Sequence, residues 1–195
     1  MALSRASLAV PLHLEQAPPV TTDSRRDEVA QDGMSRHPAM TQVTDEDRRF
    51  MQLALAEAEA ARAADEVPIG AVVTLDGEVV ARAHNLTRTR KDPTAHAELI
   101  AIAEACRTLD AMRIPGAVVY TTVEPCFMCA GALSHARVAR VVWGVRDPKF
   151  GGCASLGNVL SDERLNHQVE IIEGVCADEA RTLLQEFFRE KRGNT

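Results

Sequence analysis

Two short motifs carry residue types suited to metal and proton chemistry: His96-Ala97-Glu98 and, 30 residues on from His96, Cys126 within Pro125-Cys126-Phe127-Met128-Cys129. Zinc takes thiolate sulfur and neutral imidazole nitrogen in tetrahedral geometry. Two cysteines separated by two residues at a helix start bring both sulfurs to one side. The helix dipole and the free N–H groups there favour the thiolate form. Two thiolates neutralise the 2+ charge, and one imidazole completes three protein ligands. Three ligands leave a fourth position for water, as in a catalytic zinc, whereas a structural zinc has four protein ligands. Glu98 is poorly placed to bind the same ion alongside His96. It is well placed to handle the protons of a water whose pKa zinc lowers to roughly 7. Three rival readings compete. A C-x-x-C redox pair would leave His96 and Glu98 without roles. A structural zinc would need Cys153 or Cys106 as fourth ligand. A zinc-stabilised binding module would have no use for Glu98. The two motifs in this order, each at a helix start, favour the catalytic site.

The elements that must position these residues are legible as patterns. Acids at 45–47 follow Thr44, and apolar residues then recur at helical spacing to about residue 64. Residues 68–75 are apolar and β-branched, Asp76-Gly77 is a two-residue hairpin turn, and 78–83 return as a second strand. The polar, basic segment 85–92 reads as a loop, and Pro93 as the start of a helix to about residue 109. Residues 117–123 form a short apolar run typical of a strand buried on both faces. A helix is expected from Pro125 to about 135, a buried strand at 138–143, a loop at 147–155, a strand at 169–172 and an amphipathic helix at 177–191. Strands alternating with helices imply a three-layer α/β/α sandwich, and the hairpin makes its five-stranded sheet mixed.

Composition limits the rest. The chain has 195 residues, 46% hydrophobic and 26% charged, which is ordinary for a globular protein and excludes collagen-like, disulfide-scaffold and wholly disordered classes. No stretch approaches the ~20 apolar residues of a membrane span. A net charge of −6 argues against broad nucleic-acid binding and leaves room for a local basic site. Five unevenly spaced cysteines suggest metal or catalytic chemistry in a reducing, cytoplasmic compartment, with Cys106 and Cys176 as small buried hydrophobes. Residues 1–43 hold four of the nine prolines and no aromatic, which reads as a disordered extension before a domain at 44–195. A secretory signal does not fit, because the apolar stretch at 6–14 is short and broken by Pro11 and His13. An organelle transit peptide is a weaker reading, and Met34 or Met40 could be the true start.

The chain resembles the cytidine deaminase-like superfamily, and within it the bacterial tRNA-specific adenosine deaminases. The likeness runs over residues 45–192 and rests on Val67-Pro68-Ile69-Gly70-Ala71-Val72, Asp92-Pro93-Thr94-Ala95-His96-Ala97-Glu98, Val123-Glu124-Pro125-Cys126-Phe127-Met128-Cys129, Arg146-Asp147-Pro148-Lys149, Asn166-His167 and Phe187-Phe188-Arg189. The zinc motifs are common to the superfamily, while the segments after Trp143 resemble the tRNA enzymes. The resemblance implies one zinc per subunit on His96, Cys126 and Cys129, with Glu98 as proton shuttle. It implies hydrolysis of the 6-amino group of a wobble adenosine in a tRNA anticodon stem-loop, chiefly of one arginine tRNA, by a homodimer. It places Asn85, Ala97 and Asp147 beside the nucleotide. Phe127 and Trp143 depart from the residues usual at their positions. Cations should contact phosphates, and Arg88, Arg90, Lys91, Arg146 and Lys149 lie near the site in sequence. One of Phe187 and Phe188 should be core, leaving the other, Phe188 in the substrate-side set, free to reach nucleic acid or a partner. His84, His135 and His167 read as surface or hydrogen-bonded histidines. The alternative reading is deamination of a free base or nucleoside such as guanine or cytosine.

Overall fold

The computed structural model describes residues 42–193. The extension expected at 1–43 therefore lies outside the described residues, apart from its last two. Of those, Val43 already packs against the core.

Helix α1 (Asp45–Ala63) opens with a capping box: the Asp47 amide donates to Thr44 Oγ1 at 3.0 Å and the Thr44 amide to Asp47 Oδ2 at 2.9 Å. Strands β1 (Gly70–Leu75) and β2 (Glu78–His84) form the expected hairpin. Asp76 and Gly77 both have positive φ, at 53° and 78°, as a type I′ turn requires. After α2 (Thr87–Arg90) and α3 (Ala97–Thr108) come β3 (Val118–Val123), α4 (Phe127–Ala136), β4 (Arg140–Val145), β5 (Glu170–Glu173) and α5 (Ala177–Gly193).

The sheet order is β2-β1-β3-β4-β5, with β1 antiparallel to β2 and β3, and β3, β4 and β5 mutually parallel. Alternation along the strands sorts side chains into two cores. Ala71, Val73, Val119, Val141 and Trp143 join the residues of α3 and α4. Val72, Tyr120 and Val142 join Phe50, Met51 and Ala54 of α1 on the opposite face. The three-layer mixed α/β/α sandwich expected from the sequence is the one observed.

Differences from the sequence pattern are local. The stretch 85–92 contains the short helix α2, ended by Lys91 in the left-handed region. Pro93 does not open α3, because Asp92 Oδ1 accepts both the amide (2.8 Å) and the hydroxyl (2.7 Å) of Thr94 and holds a turn there. Helix α4 begins after Pro125, since Cys126 is extended and bridges Gly151. A 3₁₀ turn at Val159–Ser161, with Leu160 buried, lies where no element was expected.

Candidate metal centre and substrate cleft

His96 and Cys126 are the residues that cap α3 and α4, and both have extended backbone. Two helix starts therefore meet at one end of the sheet, each presenting N–H groups without intrahelical acceptors. The sulfurs of Cys126 and Cys129 lie 3.6 Å apart, and His96 Nδ1 is 3.7 Å and 3.6 Å from them. Ligand distances of about 2.3 Å to sulfur and about 2.0 Å to nitrogen in a tetrahedron require edges of about 3.8 Å between sulfurs and about 3.5 Å from sulfur to nitrogen. The donor set fits zinc in chemistry and in spacing. The hydrogen bond shared with Cys129 pulls the Cys126 thiol down to about 4, against burial and with help from His96. The same bond, with burial, raises Cys129. His96 is raised, chiefly by Cys126.

Cys153 and Cys106 do not join this cluster. Buried Cys153 directs its sulfur to the Pro125 carbonyl, and Cys106 to that of Met112. The four-ligand site is thus not assembled among the described residues. Cys106 and Cys176, expected to be buried, are only half-buried at the edges of the two cores.

Glu98 sits on the first turn of α3, 4% exposed, and its Oε2 has no hydrogen-bond partner among the described residues. Burial raises its carboxyl above the ordinary range. Both His96 and Glu98 line a cleft of about 760 Å³, together with Asn85, Asp147, Lys149 and Phe188. Phe187 is core and Phe188 is 44% exposed, as helical spacing required. Ala97, expected beside the nucleotide, is fully buried and lies outside the cleft lining. Arg88 is also outside the lining, paired with Asp65 at 2.7 Å. Arg146 lines the cleft but is engaged by both oxygens of Glu173, at 2.7 and 2.8 Å. No ion pair or side-chain hydrogen bond engages the Lys149 ammonium among the described residues. His84 bonds Glu57 and His167 the Val138 carbonyl, while His135 is exposed on α4.

Two further buried carboxylates, neither singled out by a chemical motif of its own, organise the segments around the cleft. Glu66 is fully buried and accepts the amides of Arg88 (3.2 Å) and Thr89 (2.6 Å) and the hydroxyl of Thr87 (3.4 Å). Buried Glu124 accepts the amides of Asp147, Cys153, Ala154 and Ser155 at 2.7–3.1 Å, and the Ser155 hydroxyl. Burial pushes both carboxyls up, but these donors outweigh it and hold both below the ordinary value. In sequence Glu124 directly follows the apolar run 117–123, and the Gly151-Gly152 loop it anchors begins only after 26 intervening residues. At Gly151 an added Cβ would stand 2.4 Å from the Glu124 carboxylate.

A His/Cys/Cys cluster and a buried carboxylate spanning two helix starts of a mixed five-stranded α/β/α sheet define the cytidine deaminase-like class. The model of the MafB19-like deaminases matches residues 45–192. The tRNA-specific adenosine deaminase of Bacillus subtilis is 48% identical over 147 residues, 75% of this chain and 91% of that protein. A structure from a study of A-to-I editing by tRNA:A34 deaminases at the wobble position superposes with a TM-score of 0.67 at 46% identity, covering 70% of this chain and 99% of that one. Guanine deaminase from Nitrosomonas europaea is more distant, at 26% identity and a TM-score of 0.64, covering 75% and 85%. The chain belongs to the tRNA-specific adenosine deaminase family.

Proposed function

We propose that this protein hydrolyses the 6-amino group of a wobble adenosine in a tRNA anticodon stem-loop, giving inosine and ammonia, with an arginine tRNA as the main substrate. The observation that carries the reading is the juxtaposition of the His96/Cys126/Cys129 triangle with the unpartnered Glu98 oxygen in one cleft. One zinc per subunit, held by those three residues, would supply Lewis acidity that makes a water nucleophilic near neutral pH.

The remaining work falls to the chain itself. Glu98 takes a proton from the attacking water and passes it to the adenine ring nitrogen, then delivers the second proton to the departing amine. The balance is one water consumed and one ammonia released. Its burial keeps the proton among the reacting groups and away from solvent. The Asn85 side-chain amide group donates to Thr87 Oγ1 at 3.2 Å and lies 3.5 Å from Glu66 Oε2. Its carbonyl oxygen is thus the acceptor left for the nucleotide. Asp147 on the loop pinned by Glu124 and Phe188 on α5 complete the substrate side. Lys149 is the cation best placed for a phosphate, while Arg88 serves the RNA only by exchanging its pairing with Asp65.

We further assign a homodimer, supported by the exposed Phe127, Met128 and Leu156 on and beside α4. A cytoplasmic location fits a tRNA substrate and thiolate ligands, and no described helix is long and apolar enough to cross a membrane. Residues 44–195 form the catalytic domain in this reading.

Ammonia release separates this function from its alternative. Purified, metal-loaded protein should release ammonia from an adenosine-bearing anticodon stem-loop and not from guanine or cytosine. Release from a free base alone would move the chemistry to small-molecule salvage.

A further inference from the structure

We infer that Phe150 is a stacking platform for a base flanking the target adenosine, a reading that rests on the proposed RNA substrate. The chain has five phenylalanines, one tyrosine and one tryptophan. Phe50, Tyr120, Trp143 and Phe187 are committed to the cores. Phe150 is the most exposed of all seven, at 66%, and it lines the cleft that holds His96 and Glu98. Phe188 lines the same cleft from α5.

The backbone beneath Phe150 is fixed. Asp147 Oδ1 accepts the amides of Lys149 (2.9 Å) and Phe150 (3.2 Å), and the Gly151 amide returns to the Asp147 carbonyl at 2.9 Å. Gly151 also bridges Cys126, and Glu124 holds the loop on both sides of this turn. An aromatic ring with two side-chain torsions on a pinned loop loses little entropy when it binds. Lys149, its neighbour, offers a positive charge for the adjoining phosphate.

The chemistry calls for such a surface. A base drawn out of a single-stranded loop into a pocket leaves its neighbours without a stacking partner at the pocket mouth. Aromatic side chains replace that lost stacking irrespective of base identity. Phe150 presents its ring at that mouth.

The test uses full-length, metal-loaded protein and synthetic anticodon stem-loops, intact or abasic at the nucleotide on one or other side of the target. Phe150→Ala should raise KM about tenfold, with kcat within about twofold, and Phe150→Trp should restore the wild-type KM. One abasic stem-loop should cost the wild type a similar factor and cost Phe150→Ala nothing further. An unchanged KM in Phe150→Ala, or losses that multiply for both abasic substrates, would overturn the inference. So would a change of molecular mass in solution on Phe150→Ala, which would assign the ring to a contact between copies. Wild-type protein that deaminates no stem-loop would overturn the RNA reading itself, and this inference with it.

Discussion

A buried carboxylate oxygen without a partner costs free energy that a folded protein normally avoids. Glu98 Oε2 is one of three such side-chain atoms among the described residues, and it alone faces the cleft beside the His/Cys/Cys triangle. Its place on the first turn of α3 keeps it off the donor triangle while holding it within reach of the same space. Glu98→Ala should therefore fold and retain one zinc per subunit, while turnover falls by about 10²–10⁴-fold. Metal analysis with a circular dichroism melt checks the first part and single-turnover deamination the second; loss of zinc would contradict the non-ligand role. These residues were legible because their chemistry is encoded within a few positions of sequence. Arg88 was not, because its partner Asp65 lies 23 residues earlier in the chain, where spacing carries no information about pairing.

At the scale of elements, the cleft walls are two irregular segments, each folded around one buried acid. Glu66 holds α2 and the turn into it, and Glu124 holds 147–155. Glu124→Ala removes the acceptor from four amides, and a loss of about 3 kcal/mol is expected from stranding buried donors. The same variant should raise KM more than it lowers kcat, because Asp147 and Lys149 lose their fixed positions. Denaturant melts and steady-state kinetics together test this, and wild-type stability would contradict the anchoring role.

Glu66 gives a pH signature. Its carboxyl is depressed, so the stability it contributes is complete above its ordinary value of 4.5 and drains as pH falls below that. Between about pH 4.5 and the depressed value, Glu66→Gln should flatten the loss of stability seen in the wild type, as read by chemical denaturation at stepped pH. Helices and strands were visible as periodic patterns, but these two acids were not. A buried carboxylate serving backbone amides has no periodicity, and its partners lie 21–31 residues away. The proline signals misplaced two helix starts for the same reason, since a side-chain turn at Asp92 and a bridge at Cys126 overrode them.

Across the whole molecule, one polar node ties the layers together. Fully buried Asp47, at the α1 start, accepts the Tyr120 hydroxyl of β3 at 3.2 Å and pairs with Arg140 of β4 at 3.1 Å. Burial, with the Asp47 charge beside it, pushes the Tyr120 phenol up to about 12. The fold favours the neutral phenol, so stability is full below 10.0 and is lost as pH rises from there. Tyr120 is the only tyrosine in the chain, so phenolate absorbance reports this node alone. It should stay silent through pH 10 and emerge near 12 or on unfolding; ordinary titration near 10 in folded protein would contradict the buried node. The layer architecture was legible from the order of elements, whereas this node joins residues 73 positions apart.

In the proposed function the His/Cys/Cys cluster, Glu98 and the cleft act together on one adenosine of a folded RNA. The most direct test incubates metal-loaded protein with a transcribed arginine tRNA carrying a wobble adenosine and maps inosine at every position by sequencing. The expected result is one adenosine-to-inosine change at the wobble position, absent with Glu98→Ala. Inosine scattered over several adenosines, or an unchanged tRNA alongside ammonia release from guanine, would contradict it.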